Sequence, residues 1–276
     1  MPSSRKGMDS HIPEAAPGTI SPSADNSSSE KLAVTVPRPI RLVDIPNIVH
    51  SKELASAKDP LRHWSRDTPV ITGAFLIKIS ALFTLFYQDF HGNPLHDLSW
   101  RAESYATWAQ FAAKGWGFTV DHGDAAVGYL PAKKTWSILD RMINSAIGGI
   151  FGVVYRFTLT SQQKTRGGEL TRKLNRALEE ALRGREDDMV CLRILYTTPA
   201  KQGRGYASAL VREVTKIADE QRRSTQVLSS NIANTEFYNS VGFVEKGRFT
   251  VGEDDPTWKE DPVTVLLMVR ELPDHV

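Results

Sequence analysis

Apolar and polar positions change rhythm several times along the chain, and each rhythm predicts an element. Residues 1 to about 30 are dominated by Ser, Pro and Gly and carry almost no large apolar side chains. Such a segment cannot bury enough surface to offset its ordering entropy, so it reads as a disordered tail. From Lys31 the texture shifts. Leu32, Val34 and Val36 alternate with Lys31, Ala33 and Thr35, the period of a half-buried strand. Pro37 and Pro39 limit that strand, or move the first strand to residues 39–42. Asp44 then opens a helical pattern with Ile45, Ile48 and Val49 on one side, and Pro46 is tolerated in its first turn.

Two strongly apolar runs follow, residues 73–87 and 143–154. Both are shorter than the about 20 apolar residues of a membrane span. Each reads as a buried or half-buried helix, with an apolar substrate tunnel or a membrane-surface contact as the alternative. Between them, residues 101–114 place Tyr105, Trp108 and Phe111 at helical spacing. Gly117–Val120 and Ala125–Leu130, joined by Asp121-His-Gly-Asp124, predict a hairpin. Residues 170–183 form an amphipathic helix with Leu174, Leu178 and Leu182 on one stripe. Strand and helix then alternate: strand Val190–Thr197, helix 206–221, strand 225–230, a short helix Thr235–Ser240, and strands 243–249 and Val263–Arg270. The class predicted is α/β with a mixed sheet, a single domain over 31–276 with helical insertions at about 70–115 and 132–188.

Composition changes this picture little. At 276 residues, 41% hydrophobic and 24% charged, the chain is an ordinary globular protein, and its net charge of +2 lacks the basic excess of a nucleic-acid binder. The charges between Arg172 and Arg185 read as a solvated helix face. Cys191 is the single cysteine, which excludes an internal disulfide and a cysteine-rich zinc site. His50, His63, His91, His96 and His122 show no metal-ligand spacing, so no metal is expected. The N-terminus has no signal-like apolar run, and Asp9, Glu14 and Asp25 argue against a transit peptide; a cytoplasmic location, or a nuclear one, is the expectation.

The chemistry concentrates in Leu195-Tyr-Thr-Thr-Pro-Ala-Lys-Gln-Gly-Arg-Gly-Tyr-Ala-Ser-Ala-Leu210. A strand stops at Pro199, a glycine turn follows, and a helix opens near Tyr206. Gly203 and Gly205 let backbone amides face inward, and with the helix N-terminus they form a nest for an anion such as a diphosphate. Lys201 and Arg204 add positive charge beside it. A Walker loop would need Lys-Ser or Lys-Thr after the last glycine, and none follows Gly205. A dinucleotide fingerprint would end in Gly or Ala where Ser208 stands, and would want an acidic residue where the next strand ends in Ser-Ser-Asn.

Gln202-Gly-Arg-Gly-Tyr-Ala207 resembles the Gln/Arg-x-x-Gly-x-Gly/Ala pyrophosphate loop of the GNAT superfamily of N-acetyltransferases. Downstream, Asn231-Ile-Ala-Asn-Thr-Glu-Phe-Tyr-Asn-Ser-Val-Gly-Phe243 is similar to that superfamily's Asn-x-x-Ala-x-x-Phe-Tyr-x-x-x-Gly-Phe segment, with Asn234 where Ala is usual. A looser likeness, in Lys58-Asp-Pro-Leu61 with Trp64 and in Ala125-Ala-Val-Gly-Tyr-Leu-Pro131, extends to the branch that includes puromycin N-acetyltransferase.

The resemblance implies a mixed sheet of about seven strands splayed between the fourth and fifth, helices on both faces, and acetyl-CoA as cosubstrate in the splay. The splayed pair would be Val190–Thr197 and residues 225–230. An open strand edge can bond an extended amide chain, which places the backbone of Leu195 and Thr197 against pantetheine. Gln202, Gly203, Arg204, Gly205, Tyr206 and Ala207 would hold the diphosphate, and Asn231 would cap the short helix or bond pantetheine. Tyr238 matches the tyrosine that gives a proton to the departing thiolate; a phenol of pKa near 10 is still protonated at neutral pH. Its packing alternative is an aromatic partner for Phe237 and Phe243.

The general base stays open among Asp187, Asp188, Cys191 and water. The expected reaction is direct acetyl transfer in a ternary complex to the amine of a small molecule. Trp100, Trp108, Trp116 and Trp136 give that acceptor apolar bulk, or else serve the core. A protein amine, or acyl-CoA binding without catalysis, are the alternatives.

Overall fold

The hairpin is the element the chain marks most sharply, and the sheet grows outward from it. The computed structural model describes residues 36–66 and 94–272; the N-terminal tail, the alternation at Leu32–Thr35, the run 73–87 and His91 lie outside the described residues. Strand β1 (Arg38–Pro39) pairs antiparallel with β2 (Gly117–Val120), which pairs with β3 (Ala125–Leu130) across the turn at Asp121–Gly123. The first strand therefore lies at Arg38–Pro39 instead of 39–42, and Leu42–Asp44 forms a 3₁₀ turn. Pro39 sits on the sheet edge, where its missing N–H costs no ladder bond.

Strands β4 (Val190–Thr197), β5 (Thr225–Ser229), β6 (Val244–Val251) and β7 (Val263–Arg270) complete a seven-stranded sheet of order β1-β2-β3-β4-β5-β7-β6. Only the β4–β5 pair is parallel; every other neighbour is antiparallel. This is the mixed sheet that the motif resemblance implied.

Helices cover both faces. On one, α1 (Ile45–Ala55) and α3 (Pro94–Lys114) seat Ile45, Ile48, Val49, Trp108 and Phe111 against Ala126 and Tyr196. Trp108 is fully buried and meets Phe111 and Tyr196 edge-on at 5.4 and 6.1 Å, so it is a core residue. Between α1 and α3 in the chain lies the short α2 (Pro60–Arg66). Helices α4 (Ile138–Thr158) and α5 (Ser161–Leu182) follow β3. On the opposite face α6 (Tyr206–Glu220) buries Leu210, Val211 and Val214 on Val127, Val190, Leu192 and Val227; α7 (Thr235–Ser240) adds Tyr238.

Helix α4 departs from expectation. None of its residues is buried, and Leu139, Met142, Ile150, Val153 and Phe157, spaced as one helical stripe, are exposed. The helix touches the rest of the fold along its other side, on α3, so the apolar run alone does not decide burial. By length and composition it is the one helix among the described residues that could cross a membrane.

Helix α5 hides a charge inside an apolar setting. Arg166 is 1% exposed, lies 5.7 and 5.4 Å from the Trp64 and Trp258 rings, and donates to Asp255 at 2.6 Å. This pins α5 and α2 to the loop before β7.

Two glycines test the packing in opposite directions. A Cβ at Gly128 would stand 2.2 Å from Cε2 of Phe111, which is 1% exposed and braced by Trp108. Gly128→Ala should therefore lower stability by about 1–3 kcal/mol, read from urea unfolding. Gly148, inside α4 with nothing near its Cβ, should gain up to about 1 kcal/mol on changing to Ala. Equal shifts of the two midpoints would refute the packing account.

Candidate active site

Strands β4 and β5 begin side by side and then part. They pair only at Val190↔Thr225, Cys191↔Gln226 and Leu192↔Val227. Just beyond, β4 carries a bulge: Tyr129 faces Leu192 while Gly128 faces Ile194, so Arg193 has no residue opposite it on β3. A bulge bends its strand and raises the local twist. From Arg193 to Thr197, β4 stays with β3 and leaves β5, opening a wedge whose β4 edge has free backbone groups.

The wedge belongs to a cleft of about 1310 Å³ that reaches both faces of the sheet. Leu195, Thr197, Gln202, Gly203, Gly205, Tyr206, Ala207, Asn231 and Tyr238 all line it. Of the residues singled out from the sequence, Arg204 alone among these loop positions is absent from the lining; it is exposed beside it.

The loop before α6 has the conformation its glycines permit. Gly203 and Gly205 have φ of 76° and 78°, in the left-handed region, and Gly205 is the N-cap of α6. No side chain caps this helix, so its first amides keep their hydrogen-bonding capacity, at the positive end of the helix dipole. The charges are arranged differently from expectation. Lys201 lies 3.3 Å from both Asp121 and Asp124, so its charge is already met by carboxylates. The Tyr206 hydroxyl donates to Asp121 at 2.5 Å, which holds that carboxyl below its ordinary range and the phenol above its own. Tyr206 thus offers the cleft its backbone, while its ring is tied to the hairpin turn.

Asn231 accepts from the Ala233 amide at 3.0 Å, the capping role, and still borders the cleft. Tyr238 is 6% exposed and packs edge-on to Phe237 and Phe243 at 5.1 and 5.8 Å. Burial pushes its phenol above the usual value, so it is protonated throughout the physiological range. Both roles open in the sequence, packing and proton donation, are compatible with this position.

None of the candidate bases reaches the cleft. Asp187 pairs with Lys133 at 2.7 Å, and Asp188 with Lys134 and Arg223, all at the closed end of β4. Cys191 is half-buried, its thiol pushed up by desolvation, and it too is outside the lining. The two carboxylates that do line the cleft are Asp59 and Glu103. Glu103 accepts from the Tyr155 hydroxyl; Asp59 accepts from the Arg62 amide at 2.8 Å and from the Ser230 hydroxyl. A signal for Glu103 was present: Trp100, Glu103, Ser104 and Thr107 recur at helical spacing beside the buried Trp108 and Phe111, and all four line the cleft. Of the tryptophans named above, Trp100 is the one in the lining; Trp116 and Trp136 stack on each other at 5.9 Å elsewhere.

Lys52 closes this side from α1. Its ammonium donates to Ser104 at 3.2 Å and stands 5.5 Å from the Trp100 ring centroid. Burial first, and then the guanidinium groups of Arg62 and Arg66, lower its pKa to about 8.

Comparison with known proteins agrees with this geometry. Residues 170–245 match the family model described as the acetyltransferase (GNAT) domain. Among solved structures, mosquito arylalkylamine N-acetyltransferase like 5b aligns with a TM-score of 0.53 at 13% identity, covering 86% of this chain and 99% of that one. Arylalkylamine N-acetyltransferase 2 from Aedes aegypti aligns with a TM-score of 0.51 at 12% identity, covering 87% and 100%. No curated protein sequence matches the chain.

The depressed Lys52 sets a direction for stability against pH. The unfolded chain holds that proton up to about pH 10.4, whereas the folded chain releases it near 8. Between those values the unfolded state binds more protons, so stability rises with pH. From about pH 8.5 the Cys191 thiol, pushed up by burial, opposes this rise, and above pH 10 the buried phenols of Tyr155, Tyr196 and Tyr238, all pushed up, act in the same direction as the thiol. In urea unfolding, the stability of the protein relative to Lys52→Met should rise from pH 8 to 10; a difference that does not change with pH would place the lysine in water.

Proposed function

We propose that this chain, which has the fold of the GNAT acetyltransferases and matches their domain model over residues 170–245, transfers an acetyl group from acetyl-CoA to the primary amine of a small molecule. The observation that carries the reading is the wedge between β4 and β5, open on one side to an uncapped helix N-terminus and on the other to two carboxylates.

In this reading the diphosphate of acetyl-CoA lies on the amides from Gly203 to Ala207, where the dipole of α6 and unpartnered N–H groups favour an anion. Pantetheine, an extended chain with two amides, runs along the free edge of β4 at Leu195 and Thr197, as a peptide would add to a sheet edge. The thioester then sits in the wedge near Tyr238, and the amine enters from the α1 and α3 side. The amine must arrive neutral. Glu103 or Asp59 takes its proton, directly or through water. The nitrogen lone pair attacks the thioester carbon, the tetrahedral intermediate collapses, and the C–S bond breaks. The Tyr238 hydroxyl gives its proton to the departing thiolate, and the second proton left on the attacking nitrogen passes to water, which restores the phenol, so the products are the amide and the free CoA thiol. Holding both substrates in one cleft removes the need for an acyl-enzyme, and Cys191 has no route to the thioester.

Calorimetric titration with acetyl-CoA tests the first half of the reading, and release of free CoA thiol with an amine panel tests the second. Arylalkylamines are the first amines to try, being the class named for the two mosquito structures. Micromolar binding with thiol release is expected. Gly205→Val forces a branched side chain into positive φ and into the space over the helix N-terminus; acetyl-CoA affinity should fall at least about tenfold, and unchanged affinity would remove the loop assignment. Tyr238→Phe should lower kcat by about 10²–10⁴ with little change in acetyl-CoA affinity. If its kcat matches the wild type, Tyr238 is a packing residue only.

A further inference from the structure

We infer that the acceptor is zwitterionic, an amine that also carries an oxyanion such as a carboxylate, and that Lys52 and Arg62 hold the oxyanion. The inference rests on the acetyltransferase reading and names its substrate class.

Two cations at one end of the cleft have no carboxylate in ion-pair contact among the described residues. Around the α1–α3 end of the cleft stand Lys52 and Glu53 from α1, Asp59 before α2, Arg62 and Arg66 from α2, and Asp97, Arg101 and Glu103 from α3, with Arg193 on β4. Some of these satisfy one another: Arg101 pairs with Glu53 at 3.3 Å, and Arg66 with Asp97 at 3.7 Å. Lys52 and Arg62 do not. Among the described residues neither has a carboxylate within ion-pair distance. Lys52 donates only to Ser104, and the Arg62 side chain donates to the Glu53 carbonyl at 3.0 Å and to the Ser56 hydroxyl. Both are half-buried and both line the cleft.

Burying a cation beside another cation is costly unless an anion joins them. Burial first, and the Arg62 guanidinium second, lower the proton affinity of Lys52 despite the opposing pull of Glu103 and Glu53. An oxyanion between the two side chains would remove that cost, and an arginine fork with a lysine point charge is the donor set such a group takes.

The same end holds two carboxylates, Asp59 and Glu103, that have no ion pair among the described residues and accept from hydroxyls and a backbone amide. A plain arylalkylamine would meet those carboxylates and leave Lys52 and Arg62 facing its like charge. A zwitterion answers both pairs at once: ammonium to the carboxylates, oxyanion to the cations. Trp100, under Lys52, leaves an aromatic surface for the carbon frame between them. This revises the apolar acceptor expected from the tryptophans, since most of those are packed elsewhere.

The test uses matched pairs of amines with acetyl-CoA saturating: phenethylamine against phenylalanine, and butylamine against 4-aminobutyrate. The carboxylate member should have the higher kcat/KM by at least tenfold. Lys52→Met and Arg62→Met should each erode that preference mainly through KM, with acetyl-CoA affinity held within twofold. Preference for the plain amines, or variants that weaken acetyl-CoA and leave the preference intact, would overturn the inference while the acetyltransferase reading stands. No acetyl-CoA binding would instead overturn that reading. A second arm needs no substitution and no turnover: the titration of Lys52, followed by NMR of lysines labelled at Cε, with and without phenylacetate. Bound carboxylate should raise its midpoint above the value in the free protein; an unmoved midpoint at saturating phenylacetate would overturn the assignment.

Discussion

Three residue pairs hold β4 to β5, and the rest of the site depends on their being only three. Each strand is committed on its outer side, β4 to β3 through six pairs and β5 to β7 through five. Closing the wedge would mean breaking those ladders or removing the bulge at Arg193. The open edge is therefore a property of the whole sheet, set by where one extra residue falls in β4. Unpaired strand groups are normally a liability that invites another chain. Here the helices α1 and α6 wall the opening, so what can enter is a slender chain able to bond backbone on one side.

The hairpin turn is the second fixed point. It receives the Tyr196 hydroxyl at Gly123, the Asn47 amide at His122 and the Thr198 amide at Asp124, and Asp121 takes both Tyr206 and Lys201. Asp121 and His122 sit at positive φ, a costly conformation for residues with a side chain, which these contacts hold in place. The consequence reaches the glycine loop. With its start and its end both tied to Asp121, the loop can present its amides without a side-chain cap of its own. Order at the N-terminus of α6 thus comes from a turn distant in sequence.

How much of this could be read from the chain follows from the range of the interactions involved. The hairpin, β4, α7 and β7 were legible to the residue, because alternation, turn chemistry and short helical spacing are local. The loop and Tyr238 were legible because their motifs are contiguous. The side chains facing Tyr238 from across the cleft were not. Lys52, Arg62 and Glu103 come from three helices and matter only through their proximity, which no local pattern records. The apolar run in α4 failed for a related reason: its hydrophobicity describes what the helix can bury, and only the neighbours decide what it does bury. Lys201 shows the same limit for charge. In the sequence it stands beside the glycines as a free cation, and in the fold Asp121 and Asp124 neutralise it.

That neutralisation gives the cleft an unequal electrical layout. At the glycine-loop end, Lys201 is spent on Asp121 and Asp124, and the attraction for an anion comes chiefly from backbone dipoles fixed in α6 and its loop. At the α1–α3 end, Lys52 and Arg62 have no carboxylate in ion-pair contact among the described residues and are held half out of water on α1 and α2. Fixed dipoles need no reorganisation when a ligand arrives, whereas unmatched cations wait on the ligand to complete them. In the proposed reaction, the first arrangement would suit a cosubstrate of invariant chemistry. The second would choose among amines, because a molecule that brings no oxyanion leaves the charges it covers uncompensated. On the proposed function, recognition of the donor and choice of the acceptor would therefore rest on different physics within one cleft, with the wedge in the sheet where they meet.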